Sequence, residues 1–523
     1  MFEVDQAILA WRRQMLAAGI KTPAPLDELE SHLREEIARQ MESGLNPREA
    51  FDLAVQKIGR AQALNKEFEK VGAMKADPWA RWHYPLLLLV WNTTAGSYFL
   101  PGKPTLCLTI VLVSFSLSML AFFIKPDFKF ISVPSVAWPL LFITAVLLGT
   151  ALLTSGIGHH VTDSQTRGGG PYLPLFAAVL GYFALVAQPI PPHKAGLYVK
   201  LFFLGSLIAP AIYFVFYLSP VDMDSASSTG FFPGVAFLNG IAPASIALIA
   251  LLLARHGLRG VLAPKKYWRI LAFTLLIVLS LFGGYRTLVL ELALFCAVMF
   301  CLEGLFRTRL LPAVILAAVL AAFVVVPFAG KLPHPIQRSL SFLPIHLDNE
   351  DANSARAITH WRVVVWKNLW SQVPHHLVLG KGLGTDAHAR EKWAYGINQV
   401  SDMAALADVL GDVHNGPISL LLPFGLPGVI GFVWFLVAGG RVLYRNYKLG
   451  DPAFAQINRC LYALFITKTV MFLFIFGAFY SDLACFVGFV GLSIALNGGA
   501  RNPAGEPAAP RSILLNNLKL ASG

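Results

Sequence analysis

From Tyr84 onward the chain consists of long apolar stretches separated by short polar connections. Twelve such runs stand out, at about 84–100, 104–124, 134–154, 172–189, 196–218, 232–254, 267–284, 286–305, 309–328, 415–439, 459–480 and 482–498. About 20 apolar residues is the length of a bilayer-crossing helix. The pattern therefore predicts an all-α, polytopic membrane protein with about 12 transmembrane helices. The first 76 residues follow another rhythm. There Leu26, Leu29, Leu33, Ile37 and Met41 recur at helical spacing, and Asn46-Pro47 opens a second helix with Phe51, Ala54, Val55 and Ile58 on one face before Gly59 ends it. A compact bundle of three or four short helices is expected.

Composition sharpens this division. Hydrophobic residues make up 56% of the 523 positions, charged residues only 14%, and the mean hydropathy is +0.60, more apolar surface than a soluble chain of this length buries. Residues 1–76 hold 12 of the 30 acidic and 11 of the 42 basic residues, so the net charge of +12 resides in the apolar part. Basic residues there sit in short loops, as topology signals and contacts for anionic lipid do, and nucleic acid is not an expected partner. The five cysteines lie in or beside apolar runs, which argues against a disulfide framework or a thiolate metal site. Residues 1–30 are amphipathic and charged, so no cleavable signal peptide is expected and the N-terminus is assigned to the cytoplasm.

Counting spans from that side places Lys125, Lys129, Lys194, the Arg255–Arg269 cluster, Arg307, Arg309, Arg441, Arg445 and Lys448 inside, as the positive-inside rule requires. The expected organisation is a cytoplasmic helical bundle over 1–76, transmembrane helices 1–9 over 80–329, a large periplasmic loop over 330–413, helices 10–12 over 414–500 and a cytoplasmic tail over 501–523. The large loop contains a helical stretch from about Ser354 to Ser371. Charges inside spans are costly and usually face a polar cavity. Glu291 suits an arginine partner, whereas Lys200 and Lys468 suit snorkelling to head groups.

Several motifs then fall in a fixed order: Gly283-Gly-Tyr-Arg286, Arg362-Val-Val-Val-Trp366, Gly380-Lys-Gly-Leu-Gly384, His414-Asn415, and Leu420-Leu-Leu-Pro-Phe-Gly425-Leu-Pro-Gly428. In this order, over roughly residues 80–500, the chain resembles the O-antigen ligase and polymerase family of bacterial envelopes. The resemblance implies a GT-C-like, metal-independent glycosyltransferase of the bacterial inner membrane, without cofactor, that moves a glycan from an undecaprenyl-diphosphate carrier to lipid A core or a growing polysaccharide and inverts the anomeric centre. Two departures stand out: Tyr285-Arg286 replaces the frequent Ser-Arg, and the stretch between Gly384 and His414 is unusually acidic. Separately, the Leu-Glu-Ser-His-Leu-Arg-Glu-Glu-Ile and Gly-Leu-Asn-Pro-Arg-Glu-Ala-Phe segments resemble a permease-prefix domain, which implies docking or regulation and no chemistry.

The chemistry follows from the residue types. A sugar on a lipid diphosphate has a good leaving group, so the protein has to stabilise charge on that group while a base removes the acceptor proton. Arginine forks suit phosphate oxygens, which makes Arg286 and Arg362 the diphosphate pair and Arg356 a third candidate. His414, at the junction of loop and span, is the candidate general base. Asp412 or Asp408 is placed to orient it, and Asn415 fits a cap of the following helix. Gly380, Gly382 and Gly384 make a turn rather than a nucleotide loop, since no βαβ unit surrounds them. The histidines 375, 376, 388 and 414 match no metal-ligand spacing. A polysaccharide or lipid flippase is the alternative, although no matching halves are visible; an inactive sensor would have little reason to keep the Arg286, Arg362 and His414 set.

Overall fold

The computed structural model describes residues 3–17, 23–58, 80–93, 105–125, 128–154, 172–218, 233–263, 265–343, 349–383 and 413–501. The chain divides into two compact units, Met1–Arg81 and Trp82–Gly523.

In the first unit, α1 (Val4–Ala17), α2 (Pro23–Glu42) and α3 (Pro47–Ile58) bring their apolar stripes together. Ile8, Trp11, Leu26, Leu33, Ile37 and Ala54 form the core, while Met41, near the end of α2, is exposed. Asn46 caps α3, its side-chain oxygen accepting the Glu49 N–H at 2.9 Å. Ion pairs then tie the helices together: Arg34 meets Asp5 at 2.8 Å, Arg12 pairs with Glu30, and Lys57 meets Glu36 at 2.7 Å. Lys57, with Gln40, holds the Glu36 carboxyl below its ordinary range. A carboxyl depressed in the folded state adds stability above its unfolded value and loses it as pH falls, so acidification weakens these ties.

The second unit contains α4 (Ala80–Val90), α5 (Leu106–Ile124), α6 (Pro134–Leu153), α7 (Leu173–Leu185), α8 (Pro192–Leu204), α9 (Ile208–Leu218), α10 (Pro233–Val261), α11 (Tyr267–Leu281), α12 (Arg286–Leu302), α13 (Leu310–Phe328), α14 (His334–Leu340), α15 (Asn349–Gln372), α16 (Gly416–Leu449), α17 (Ala455–Val470) and α18 (Phe479–Asn497). Every apolar run of the sequence carries a helix. Among the described residues eight helices are long and apolar enough to cross a membrane, with α8 and α9 counted as one. The remaining apolar helices fall short of that criterion: α4, α7 and α11 have 11, 13 and 15 residues, and α12 has 17 and carries Arg286 and Glu291. The chain is thus an all-α, multi-pass membrane protein.

Helix α16 packs on α6, α18 on α7, and α17 on both α10 and α12. Phe432, Phe472, Phe479 and Phe486 interlock at the centre with ring centroids 5.0–6.2 Å apart, burying large apolar area. α12 and α17 run antiparallel: Glu291 near the start of α12 meets Lys468 near the end of α17, and Glu303 just past α12 meets Gln456 near the start of α17.

This defines two ends of the bundle. At one, the carboxylate of Glu303 accepts the N–H groups of Leu258 (2.7 Å) and Arg259 (2.9 Å), where α10 restarts after a break at Gly257. Beside it Asn446, Asn458 and Asn497 are fully buried and exchange hydrogen bonds of 2.9–3.1 Å with one another's side chains and backbone, and Asn446 also bonds Ser493 Oγ at 3.0 Å. At the other end α16 is broken at Gly425 (φ 62°). Pro427 has no N–H to give the Pro423 carbonyl, and Gly382 N–H supplies that bond at 2.9 Å; Lys381 N–H bonds the Leu422 carbonyl at 2.8 Å while Leu426 N–H turns out to Leu377 O at 2.7 Å. The Gly380-Lys-Gly382 turn therefore fills the gap in a broken helix. Gly380 and Gly382 both have φ +76°, and a Cβ on either would collide, with Pro423 O and Thr154 Oγ1 respectively.

Candidate active site

At the Gly425 end, residues from three distant segments meet on one aromatic ring. Helix α15 begins at Asn349, five residues before the expected Ser354, and turns Val365 and Leu369, with Val373 of the 3-10 turn that follows, toward Val413, Ile418 and Leu422. Arg362 falls on this same stripe, three and seven residues before Val365 and Leu369. Trp366 fixes the helix to the start of the next segment by donating its indole N–H to Val413 O at 2.8 Å.

That bond sits next to His414, whose φ of 52° is the only positive value among described non-glycine residues. A left-handed conformation costs a β-carbon-bearing residue free energy and needs surrounding structure to hold it. Here Trp366 holds the preceding carbonyl, and Asn415 caps α16 by accepting the Ile418 N–H at 3.1 Å. The strained residue thus aims its ring along Phe476, with centroids 5.0 Å apart and planes 27° from parallel. The guanidinium carbon of Arg362 lies 5.5 Å from the centre of the same ring, within cation–π range.

Phe476 owes its position to an irregular stretch. α17 gives way to a π turn over Met471–Ile475, and Phe476 N–H bonds Met471 O at 2.8 Å, five residues back, before the backbone becomes extended. Such single π turns are frequent at functional sites. Gly416 lets the start of α16 lie against this turn, since a Cβ there would strike Phe472 O. Beside the ring opens a pocket of about 440 Å³ whose walls include Trp366, Lys367, Trp370, Asn415, Phe474 and Phe476.

The other sequence candidates divide as follows. Arg286 opens α12 at the same end of the bundle, five residues before Glu291, about 7.5 Å along the axis. Glu291 pairs with Lys468 at 3.7 Å rather than with an arginine, and Lys468, only 18% exposed, is packed inside instead of snorkelling. Lys200 is exposed on α8. Arg356 lies in α15, but its side chain is outside the described residues, as are Gly384, His388, Asp408 and Asp412. Gly380 and Gly382 serve the turn at the α16 break, and Asn415 serves as a helix cap. Sequence reasoning missed Phe476 and the Lys468 partner Asp482, 3.1 Å away. The available signal was Gly477, followed by Ser481-Asp482, interrupting an apolar run.

No curated protein matches the chain. Residues 271–433, which carry Arg286, Glu291, Arg362, the glycine turn and His414, match the family model described as O-antigen ligase. That family implies a membrane enzyme of glycosyl transfer, with a lipid-linked polysaccharide and a lipid A-core acceptor as partners. The matched segment covers about a third of the chain and lies in a bundle of apolar helices, and over it the chain is similar to the O-antigen ligase family.

Proposed function

We propose that this chain transfers a glycan from an undecaprenyl-diphosphate carrier to an acceptor hydroxyl, at the end of the bundle where His414 and Arg362 share Phe476. The observation that carries the proposal is that shared ring: a proton acceptor and a permanent cation, 52 positions apart, each within 5.5 Å of one ring centre. In the transfer, the acceptor oxygen bonds the anomeric carbon from the face opposite the diphosphate. The carbon–oxygen bond to the diphosphate breaks, its electron pair leaves on phosphate, and the hydroxyl proton passes to His414. Arg362 and Arg286 bind the departing charge, with Arg356 as a third contact. Water exclusion near the bilayer surface strengthens those charge contacts. A well-placed base contributes roughly 100- to 10,000-fold.

In this proposal both termini lie in the cytoplasm, the site faces the periplasm of a bacterial inner membrane, and the first unit is a docking or regulatory module outside the chemistry. The test is transfer of a labelled glycan from undecaprenyl diphosphate in membranes carrying wild type or His414→Ala at equal protein abundance. Loss of transfer is expected; full transfer by His414→Ala overturns the base assignment.

A further inference from the structure

We infer that Lys468 is a positioning residue, which through Glu291 and Asp482 ties the helix that opens with Arg286 to the turn that carries Phe476, and so sets how far Arg286 stands from Arg362 and His414. This inference rests on the proposed diphosphate site and deepens it.

The tie can be followed atom by atom. Lys468 Nζ lies 3.1 Å from Asp482 Oδ1 on α18 and 3.7 Å from Glu291 Oε1 on α12, and the three side chains are 18, 8 and 21% exposed. The second oxygen of Asp482 accepts the Ala478 N–H at 3.0 Å. Next to it, Ser419 Oγ of α16 accepts the Phe479 N–H at 2.9 Å and donates to Gly416 O at 2.7 Å. Both amides at the mouth of α18 are therefore held, one from inside α18 and one from α16. Two residues before Ala478 stands Phe476. Little slack separates them, because a Cβ on Gly477 would lie 2.7 Å from the Phe472 ring and 3.1 Å from Asp482 Oδ2.

On its other side the same ammonium grips α12. From Glu291 the helix rises five residues to Arg286, about 7.5 Å. Stability alone gives little reason for such a cluster, since well-packed apolar residues often replace buried ion pairs without loss, whereas removing one partner leaves uncompensated charge. Two carboxylates facing one ammonium do something packing does not: they fix a single register between three helices. Without the ammonium, Glu291 and Asp482 repel, and α12 shifts away from the turn.

The experiment uses the full chain in detergent, with glycan-free undecaprenyl diphosphate as the binding probe and glycan transfer as the second readout. Lys468→Arg is expected to keep affinity within about threefold. Lys468→Met is expected to weaken binding at least tenfold and to raise the donor KM in parallel while kcat falls less than threefold. The double variant Glu291→Gln/Lys468→Met removes the repulsion, so its thermal midpoint recovers toward wild type, yet its affinity stays weak because the tie is still cut. A purely structural role would restore both together. Wild-type affinity in either folded Met variant overturns the inference, as does a double variant that fails to fold. A wild-type chain that does not bind the lipid diphosphate refutes the proposed site instead.

Discussion

Where Asn446, Asn458 and Asn497 meet, polar side chains are buried and each finds partners among the others or the adjacent backbone, so a break in α10 at Gly257 is stitched by Glu303 into a closed, satisfied joint. The opposite end has two irregularities, at Gly425 and through the π turn before Phe476, with His414 at φ 52° against Phe476 and an open pocket of about 440 Å³ beside that ring. Both ends use a kinked helix and a carboxylate that accepts backbone N–H groups, Glu303 half-buried at one and Asp482 buried at the other. They differ at the π turn: the breaks at Gly257 and Gly425 are both closed by neighbouring groups, whereas the turn before Phe476 lines open space. Strain that persists around a pocket points to function, whereas strain absorbed by neighbours points to assembly.

This contrast predicts that substitutions at the two ends lose different things. The largest expected effect is that of His414→Ala, which lowers glycan transfer by roughly 100-fold or more without lowering the thermal midpoint; an intact rate would erase the distinction between the ends. Next, Arg286→Lys and Arg362→Lys are each expected to lose about tenfold or more in kcat/KM, because an ammonium keeps the charge but lacks the guanidinium fork. Steady-state kinetics at varied donor concentration checks this, and wild-type values would remove that arginine from the diphosphate site. At the closed end, Asn458→Ala removes the donor to buried Asn497 Oδ1, while the Asn446 carbonyl keeps Gly450 N–H and Asn497 Nδ2 keeps Ser493 O, and is expected to cost about 1–3 kcal/mol of stability. Denaturation in detergent should show that loss while turnover per folded molecule stays constant; a drop in turnover at full stability would contradict the comparison. The smallest effect belongs to Trp366→Phe, which keeps the ring but deletes the bond to Val413 O, at about 0.5–1.5 kcal/mol, with a few-fold fall in transfer as His414 loses its brace. Unchanged transfer would mean that Asn415 and the Phe476 stack hold His414 without help.

The apolar runs made the helices legible, since period and length report burial directly, and Asn46-Pro47 and Asn415-Gly-Pro417 marked two helix starts through their caps. Arg362 and His414 stood out in the sequence because arginine forks suit phosphate oxygens and an imidazole can take a proton, and the structure brings both to the ring of Phe476. Phe476 was not, because nothing distinguishes one phenylalanine in Met471-Phe-Leu-Phe-Ile-Phe476 from the rest until a π turn rotates it, and periodicity does not signal a π turn. Lys468 was misjudged because an isolated lysine in a span looks alike whether it reaches for head groups or for carboxylates on two other helices. The purpose of Gly380-Lys-Gly382 was hidden for a related reason: its partner is the carbonyl released by Pro427, 45 positions after Gly382.

That glycine turn is fastened to α16 through main-chain atoms, so what it demands there is room and backbone shape. Any residue except proline at position 381 keeps the amide that bonds Leu422 O, although the Lys381 ammonium also donates to Gln372 Oε1 at 3.1 Å. Its two glycine neighbours have no such latitude, and a single methyl group at either would pull the loop off its rail.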